Sequence, residues 1–193
     1  MSQRPVLQQV PADVLCAVDY EAHARQALDA NAWSYFSSHA GDGLTALANQ
    51  DAWRAIELLP RVLRPRATLR TERTLLGRDL PWPALVAPMA LQRLAHPDGE
   101  LATSLAAAAQ GTGMVLSSQA SMRLETVAPA VRADPGRGPL WLQLYLLPER
   151  GETLALVQRA EAAGFEALVL TVDAAVRTAR PAERRANFRL PPG

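Results

Sequence analysis

The 193-residue chain is 49% hydrophobic and 20% charged, and its formal net charge is +1. This composition is typical of a folded globular protein with a substantial core, and it argues against an intrinsically disordered chain. The near-neutral charge also argues against a general nucleic-acid or anionic-membrane binder, because such proteins usually carry a strong basic excess.

The cysteine content and the N-terminus bear on location. Cys16 is the single cysteine, so no internal disulfide can form, which fits a reducing compartment. Charged and polar residues interrupt every apolar run near the N-terminus, so we predict neither a signal peptide nor a transmembrane helix. The cytoplasm is therefore the expected location, and the prediction includes no metal site.

Residues 1–82 are predicted to form a helical region followed by edge strands and loops. Helix-favouring alanines recur between Ala22 and Ala30, and apolar residues recur at helical spacing from Leu44 to Leu59, until Pro60 ends the pattern. The serines and glycines of residues 37–43 indicate a turn between these helices. From Pro60 to Pro83, prolines and alternating residues favour extended edge structure and loops.

Residues 83–193 show a strand-helix rhythm, from which we predict four strands alternating with three helices. The predicted strands are ALVAPM, TGMVLSS, PLWLQLY and FEALVLTVD. The first helix is expected to stop at Gly111 and the second to end at Pro129. This alternation predicts a parallel sheet, either open or closed into a barrel. A closed eight-stranded βα barrel takes roughly 250 residues, so half of one would be present here.

Polar residues stand where the predicted strands end. Gln143 and Tyr145 close the third strand, and Thr171 and Asp173 close the fourth. Ligands of parallel α/β folds bind at the carboxyl ends of the strands, whether the sheet is open or closed. This end of the sheet is therefore the predicted binding site.

Several stretches together resemble the FMN-dependent α-hydroxy-acid oxidases and dehydrogenases, the family of glycolate oxidase, lactate oxidase and mandelate dehydrogenase. The stretches are SYFSSHAGDGLT, LVAPMALQRLAHPDGE, GTGMVLSSQAS, WLQLYLLPER, GFEALVLTVD and NFRLPP. They run from about Ala32 to the C-terminus. The resemblance implies an α/β fold of the (β/α)8 TIM-barrel type, here an N-terminal helical region plus about the first four βα strands.

The resemblance also implies FMN as cofactor, held by residues at successive strand ends. The residues expected to lie against the flavin ring form the turn after the first strand: Pro88, Met89 and Ala90. The residues expected to hydrogen-bond the polar atoms of the flavin end the next three strands: Ser117, Gln143 and Thr171. An isoalloxazine is a flat apolar ring with a polar rim, so it needs a wall together with a few donors and acceptors.

Tyr35, Tyr145 and Arg180 match the substrate-side residues of the family, and Tyr145 is also assigned a catalytic role. A guanidinium can grip a carboxylate with two hydrogen bonds, and a phenol can hydrogen-bond the carboxylate or the hydroxyl oxygen of a substrate. The spacing from LTVD selects Arg180 among the neighbouring arginines and leaves Arg177 as the alternative. Two positions depart from the family pattern: His39 replaces a common glycine, and Gln119 replaces a common aromatic residue.

By the same resemblance, the general-base histidine, its aspartate partner and the loops that bind the FMN phosphate lie in the second half of family members. We therefore expect FMN-dependent oxidation of an L-2-hydroxy acid to a 2-oxo acid, with this chain as the N-terminal half of the enzyme and inactive alone. Its partners would be the small substrate, the C-terminal half-barrel and, when complete, further copies in a homo-oligomer.

Two other functions stay open at this point. A non-catalytic half-barrel remnant could act as an assembly or interaction module through its unpaired strand edges. An FMN-dependent isopentenyl-diphosphate isomerase would share the architecture, but LQLY and LTVD together with Arg180 argue against it, because a carboxylate clamp has no use on a diphosphate.

Overall fold

The computed structural model describes residues 9–64, 68–173 and 178–190. The chain divides into two compact units, one formed by Met1–Leu69 with Val176–Gly193 and the other by Arg70–Ala175. Within the described ranges, no helix has both the length and the apolar character needed to cross a membrane. The boundary predicted between residues 82 and 83 and the cytoplasmic location both stay predictions.

The first unit is helical. After a short 3₁₀ turn, its helices are α1 (Tyr20–Ala27), α2 (Ala30–Ser37), α3 (Leu44–Arg54) and, from the C-terminal segment, α7 (Pro181–Arg185). The alanine-rich stretch does not form one helix, because Asp29 lies between α1 and α2 and its Oδ1 accepts a hydrogen bond from the Ala32 N–H at 2.8 Å. A side-chain oxygen in this position satisfies a backbone donor that the first helical turn leaves unpaired.

The end of α3 differs from the prediction. The sequence pattern predicts a helix to Leu59, whereas α3 ends at Arg54. Beyond it, Ile56 is 62% exposed and Leu58 is 91% exposed, so these apolar residues are little covered by the part of the chain that the structure describes. Helices of this length depend mainly on burying an apolar face, and without that burial the periodic pattern does not extend the helix.

The second unit begins with a hairpin of two antiparallel strands, β1 (Arg73–Leu75) and β2 (Arg78–Leu80). The two turn residues both have positive φ, +47° at Leu76 and +76° at Gly77. This is the pattern of the tight turn whose twist matches that of the flanking strands. The hairpin confirms the extended structure predicted for this part of the chain.

The main sheet has four parallel strands in the order β3-β4-β5-β6. The strands are β3 (Leu85–Val86), β4 (Gly113–Ser117), β5 (Leu140–Leu144) and β6 (Ala167–Leu170). The helices that alternate with them are α4 (Gly99–Ala109), α5 (Leu124–Arg132) and α6 (Arg150–Ala163). The predicted alternation of four strands and three helices is confirmed, although β3 and β6 are shorter than their apolar runs.

The core lies between the sheet and its helices. Leu116 pairs in register with Leu142, both are 1% exposed, and both pack in one cluster with Val127 of α5 and Ala160 of α6. Neighbours along a strand point to opposite faces, so Gln143, next to Leu142, faces away from these helices. Because Leu142 packs against the helices, Gln143 is directed to the opposite face of the sheet.

Pro129 does not end α5 as predicted, because the helix continues to Arg132. Proline cannot donate to the carbonyl one turn earlier, which costs about 3 kcal/mol in a helix interior. Burial of nearby apolar residues in the same helix offsets this cost, since Ala128 is 0% exposed and Val131 is 2% exposed. Burial of the apolar face of α5 therefore outweighs the backbone preference of a single residue.

Candidate functional site

Three polar side chains form a hydrogen-bonded row at the carboxyl ends of β4, β5 and β6. Gln143 Nε2 donates to Thr171 Oγ1 at 2.9 Å, and Gln143 Oε1 accepts from Ser117 Oγ at 3.3 Å. The row follows from the register, which pairs Ser117 with Gln143, and from the Thr171 N–H, which donates to the Leu144 carbonyl at 3.0 Å. The structure thus brings together the three residues predicted to hydrogen-bond a flavin.

Two of the three side chains in the row are buried, and the third is half-buried. Gln143 is 3% exposed and Ser117 is 6% exposed, whereas Thr171 is half-buried. Ser118 adds two contacts to Gln143 Oε1, one from its backbone N–H at 3.2 Å and one from its hydroxyl at 3.4 Å. These donors orient the amide, with its oxygen toward the serines and its nitrogen toward Thr171.

The turn after β3 supplies an apolar surface. Pro88 and Met89 are exposed, with Met89 at 48%, and Ala90 is half-buried. The turn is connected to the loop after β4, because the Leu91 N–H donates to the Gln119 carbonyl at 3.2 Å. The loops that follow two neighbouring strands are therefore held together by their backbones.

Tyr145 lies directly after β5, two residues beyond Gln143, and its side chain is half-buried. Residues two apart in an extended segment share a face of the sheet. The phenol is thus placed near the carboxyl end of β5, where ligands of parallel α/β folds bind.

Tyr35 and Arg180 belong to the first unit, where the C-terminal segment packs on α2. Asn31 of α2 forms two hydrogen bonds with the backbone of Arg189, at 2.8 and 3.0 Å. The Tyr35 ring stacks on Phe188 with centroids 5.1 Å apart, and the Gly41 N–H donates to the Ala179 carbonyl at 3.0 Å. The sequence stretches that carry these two predicted residues, although distant along the chain, thus fold into one unit.

Arg180 already has a partner in this unit. Its Nη1 donates to Glu183 Oε1 at 2.9 Å, and the same oxygen accepts from Ser38 Oγ at 3.0 Å. Glu183 is 7% exposed, whereas the Arg180 side chain is 44% exposed. The buried carboxyl therefore anchors the guanidinium through Nη1, while the Arg180 side chain as a whole stays partly exposed. Arg177, the alternative to Arg180, lies outside the described residues.

The sequence reasoning missed two contacts of the predicted residues. Ser118 was passed over in favour of Ser117, although both serines contact Gln143. Glu183 was not recognised, although it stands three residues after Arg180 in a helical segment, a spacing at which opposite charges meet.

Comparison with known proteins places this geometry in a family. The family model described as FMN-dependent dehydrogenase matches residues 24–193. The L-lactate oxidase of Alicycliphilus denitrificans is 45% identical over 94% of this chain and 48% of its own length. Glycolate oxidase 1 of Zea mays is 41% identical over 93% of this chain and 47% of its own length.

Solved structures show the same correspondence. A mandelate oxidase mutant with (S)-mandelic acid superposes with a TM-score of 0.83 at 36% identity, over 90% of this chain and 50% of that one. Another structure of a mandelate oxidase mutant, with a C4a-OH-FMN adduct, gives a TM-score of 0.82 and covers 51% of that chain. The chain therefore spans about half the length of the relatives it matches.

These matches confirm the predicted (β/α)8 fold class, of which β3 to β6 are about the first four strands. They also confirm the resemblance on which FMN was predicted, because the family and one of the matched structures carry that cofactor in their descriptions. Since the family model covers far more than half of the sequence, the chain belongs to the FMN-dependent dehydrogenase family.

Proposed function

We propose that this chain provides the flavin-ring half of the active site of an enzyme that oxidises an L-2-hydroxy acid to a 2-oxo acid. The observation that carries the proposal is the hydrogen-bonded row Ser117, Gln143 and Thr171 at the carboxyl ends of three neighbouring strands, in which Ser117 and Gln143 are buried and Thr171 is half-buried. Support comes from relatives named as L-lactate and glycolate oxidases and from mandelate oxidase structures.

The residues of the row fit a flavin by their chemistry. The pyrimidine edge of an isoalloxazine presents donors and acceptors side by side, and the row offers an amide flanked by two hydroxyls. Gln143 Nε2 carries two hydrogens, of which Thr171 accepts one. In this proposal the second hydrogen and the Ser117 and Thr171 hydroxyls bind the ring, and Pro88, Met89 and Ala90 form the wall beside it.

FMN, when bound, supplies the acceptor for the two electrons released by the hydroxy acid. The protein's part is to hold ring and substrate in a fixed relation and to exclude water from the reacting face. The buried amide suits this task, because its orientation is set by three protein donors before any ligand arrives.

On the substrate side, we propose that Arg180 binds the carboxylate and that Tyr35 and Tyr145 hydrogen-bond the carboxylate or the hydroxyl oxygen. Glu183 fixes the Arg180 guanidinium through one nitrogen, so the other donors keep the forked arrangement that a carboxylate needs. Tyr145 acts as a catalytic residue in this scheme, because its hydroxyl would contact the reacting C–O group directly.

The family resemblance assigns proton removal to a histidine in the half of the relatives that this chain does not span. General-base help is typically worth roughly 10²- to 10⁴-fold, so we expect the 193-residue chain alone to oxidise no hydroxy acid. The same half carries the phosphate-binding loops, so we expect the chain alone to bind riboflavin about as well as FMN, and both weakly.

The proposal is tested by joining residues 1–193 to the half of the A. denitrificans L-lactate oxidase that this chain does not span. The joined protein should retain FMN and bleach on anaerobic mixing with L-lactate, glycolate or (S)-mandelate. The controls are each half alone and the intact lactate oxidase. A joined protein that folds by circular dichroism yet stays colourless, or whose flavin no hydroxy acid reduces, would contradict the proposal.

One observation favours a second function, an assembly module. Leu168 and Leu170 on β6, at the edge of the sheet, are 46% and 49% exposed. An unpaired strand with exposed leucines is a ready surface for pairing with another chain. Light scattering separates the two functions: a stable homo-oligomer that binds no flavin would favour the module over the enzyme half.

A further inference from the structure

Glu100, in the first turn of α4, is a buried residue whose side chain contacts other parts of the chain rather than its own helix. It is 0% exposed. Its Oε1 accepts from the Gln92 N–H at 3.1 Å, from the Ser121 N–H at 2.8 Å and from Ser121 Oγ at 2.9 Å, and its Oε2 accepts from Ser121 Oγ at 2.8 Å. Gln92 begins a short 3₁₀ turn (Gln92–Leu94) in the connection after β3, and Ser121 lies in the loop after β4.

These two loops carry the residues of the proposed flavin site. The loop after β3 runs from the Pro88–Ala90 turn to Gln92, and the loop after β4 runs from Ser117 to Ser121. Ala90 and Gln119 each stand two residues from a contact of Glu100. The carboxyl group therefore connects the segment that follows the wall residues to the segment that follows Ser117.

Other hydrogen bonds join the same two segments to each other and to α4. The Arg93 N–H donates to Ser121 Oγ at 2.9 Å, and Thr103 of α4 donates through its hydroxyl to Gln92 Oε1 at 2.6 Å. At Gly99, where φ is +42°, an added Cβ would lie 2.7 Å from Arg93 Cγ. The loop after β3 thus packs so closely on the start of α4 that no side chain fits between them.

A role limited to filling space does not account for this arrangement. Burying a carboxyl group is unfavourable unless its oxygens are hydrogen-bonded, and an apolar side chain would fill the same volume without that cost. Among the residues that the structure describes, no basic side chain pairs with Glu100, and its oxygens are occupied by neutral donors from the two loops. The side chain is suited to fixing the spacing between those loops.

We propose that Glu100 is a positioning residue for the flavin site, which holds the loops after β3 and β4 at the spacing that the ring requires. The inference rests on the proposed function, since it assigns the two loops to one flavin. Glu100 itself contacts neither flavin nor substrate in this proposal and acts through Gln92 and Ser121.

Three variants of the 193-residue chain test the proposal. Glu100→Ala removes every acceptor, whereas Glu100→Gln keeps the volume, one acceptor for the two backbone N–H groups and a nitrogen able to donate to Ser121 Oγ. Ser104→Ala is the matched control, because Ser104 is a buried polar residue of the same helix, 2% exposed, whose hydroxyl donates only within α4. Ser121→Ala serves as a second variant should Glu100→Ala not fold.

The measurements are amide chemical shifts without ligand and a riboflavin titration, both followed by NMR. Glu100→Ala should shift the amides of residues 89–92 and 118–121 and weaken riboflavin binding roughly tenfold, as expected if the displaced loops lose about one hydrogen bond to the ring. Glu100→Gln should restore binding to within about threefold of the parent chain, and Ser104→Ala should leave binding unchanged even where it lowers the melting temperature.

The outcomes separate this inference from the proposed function. If the parent chain binds no flavin, the proposed function loses its support, and the ligand-free amide shifts still decide whether Glu100 sets the two loops. Unchanged shifts in both loops would overturn the positioning role, and so, where the parent chain binds riboflavin, would equal binding by Glu100→Ala and Ser104→Ala.

Discussion

The replacement Gln143→Leu tests the strand-end row at its central residue. Leucine keeps nearly the same volume but removes the amide, which receives three hydrogen bonds at 3.2–3.4 Å and donates one at 2.9 Å. The hydroxyl groups of the row can rotate toward other partners, but the Ser118 N–H cannot. Leaving one such donor unpaired costs about 1–3 kcal/mol, which lowers the melting temperature by about 2–4 °C per kcal/mol in a chain of this size.

The effect on ligand binding should exceed what stability alone predicts. In the proposed site Gln143 offers the flavin edge the second hydrogen of its amide nitrogen, since its oxygen already accepts from the two serines, and one such hydrogen bond contributes about 0.5–1.5 kcal/mol. Losing it should weaken riboflavin binding roughly 2- to 13-fold, as measured by NMR titration of the folded variant.

Gln110→Leu is the matched control for this replacement. It makes the same chemical change at an exposed residue that caps the C-terminal end of α4, three residues before β4 begins and therefore near the amino ends of the strands, away from the row. Its riboflavin affinity should equal that of the parent chain. Equal affinities for Gln143→Leu and Gln110→Leu, with both variants folded, would refute the assignment of the row to a flavin.

Three further replacements test the packing and the ion pairs of the barrel half. Leu142→Ala, at a residue 1% exposed in the core, should lower the free energy of unfolding in urea by about 2–5 kcal/mol; a loss no greater than that of Leu170→Ala, at a residue 49% exposed, would contradict the assigned core. Pro129→Ala should raise the free energy of unfolding by up to about 3 kcal/mol, because it restores a donor inside α5; a loss of stability would show that the proline is needed there. The Arg159 hydrogen bonds lower the pKa of Glu125 to about 2, so this pair stabilises the fold above about pH 5 and loses its effect as the pH falls toward 2. Arg159→Ala should cost at most about 1 kcal/mol near pH 6 because both side chains are partly exposed, and thermal melts should show the difference shrinking at low pH; a difference independent of pH would contradict the ion-pair role.

The central strands were predictable because their burial leaves a clear pattern in the sequence. All five residues of β4 and all five of β5 are buried, and strands covered on both sides read as nearly continuous apolar runs. The parallel pairing of the four strands was predictable from their alternation with helices. The row at their ends followed as well, since successive polar strand ends meet at one edge of a parallel sheet.

Helix ends were less predictable because they depend on tertiary contacts. The apolar spacing around Ile56 resembles that within α3, but the structure offers no surface for it, and the helix ends at Arg54. The opposite happens at Pro129, where burial of Val131 carries the helix past a residue that disfavours it. Local sequence reports the preference of the backbone and does not report which faces are buried.

The supporting carboxyl groups were also missed, for a related reason. Glu100 stands in the first turn of α4, where an acidic residue is favourable on local grounds alone, and its partners lie in two segments that local sequence does not bring together. Glu183 supports Arg180 from a helix that the sequence pattern did not predict. A family resemblance selects residues that contact ligands more readily than residues that hold them in place.

The most direct test of the central claim is a map of amide shift changes in the 193-residue chain during titration with riboflavin. The account predicts changes concentrated at Met89, Ala90, Ser117, Gln143 and Thr171, with FMN giving the same pattern at similar affinity. Changes at the opposite end of the sheet, around Gly113 and Leu140, or no changes at saturating riboflavin, would contradict the claim that this chain forms the flavin-ring half of the active site.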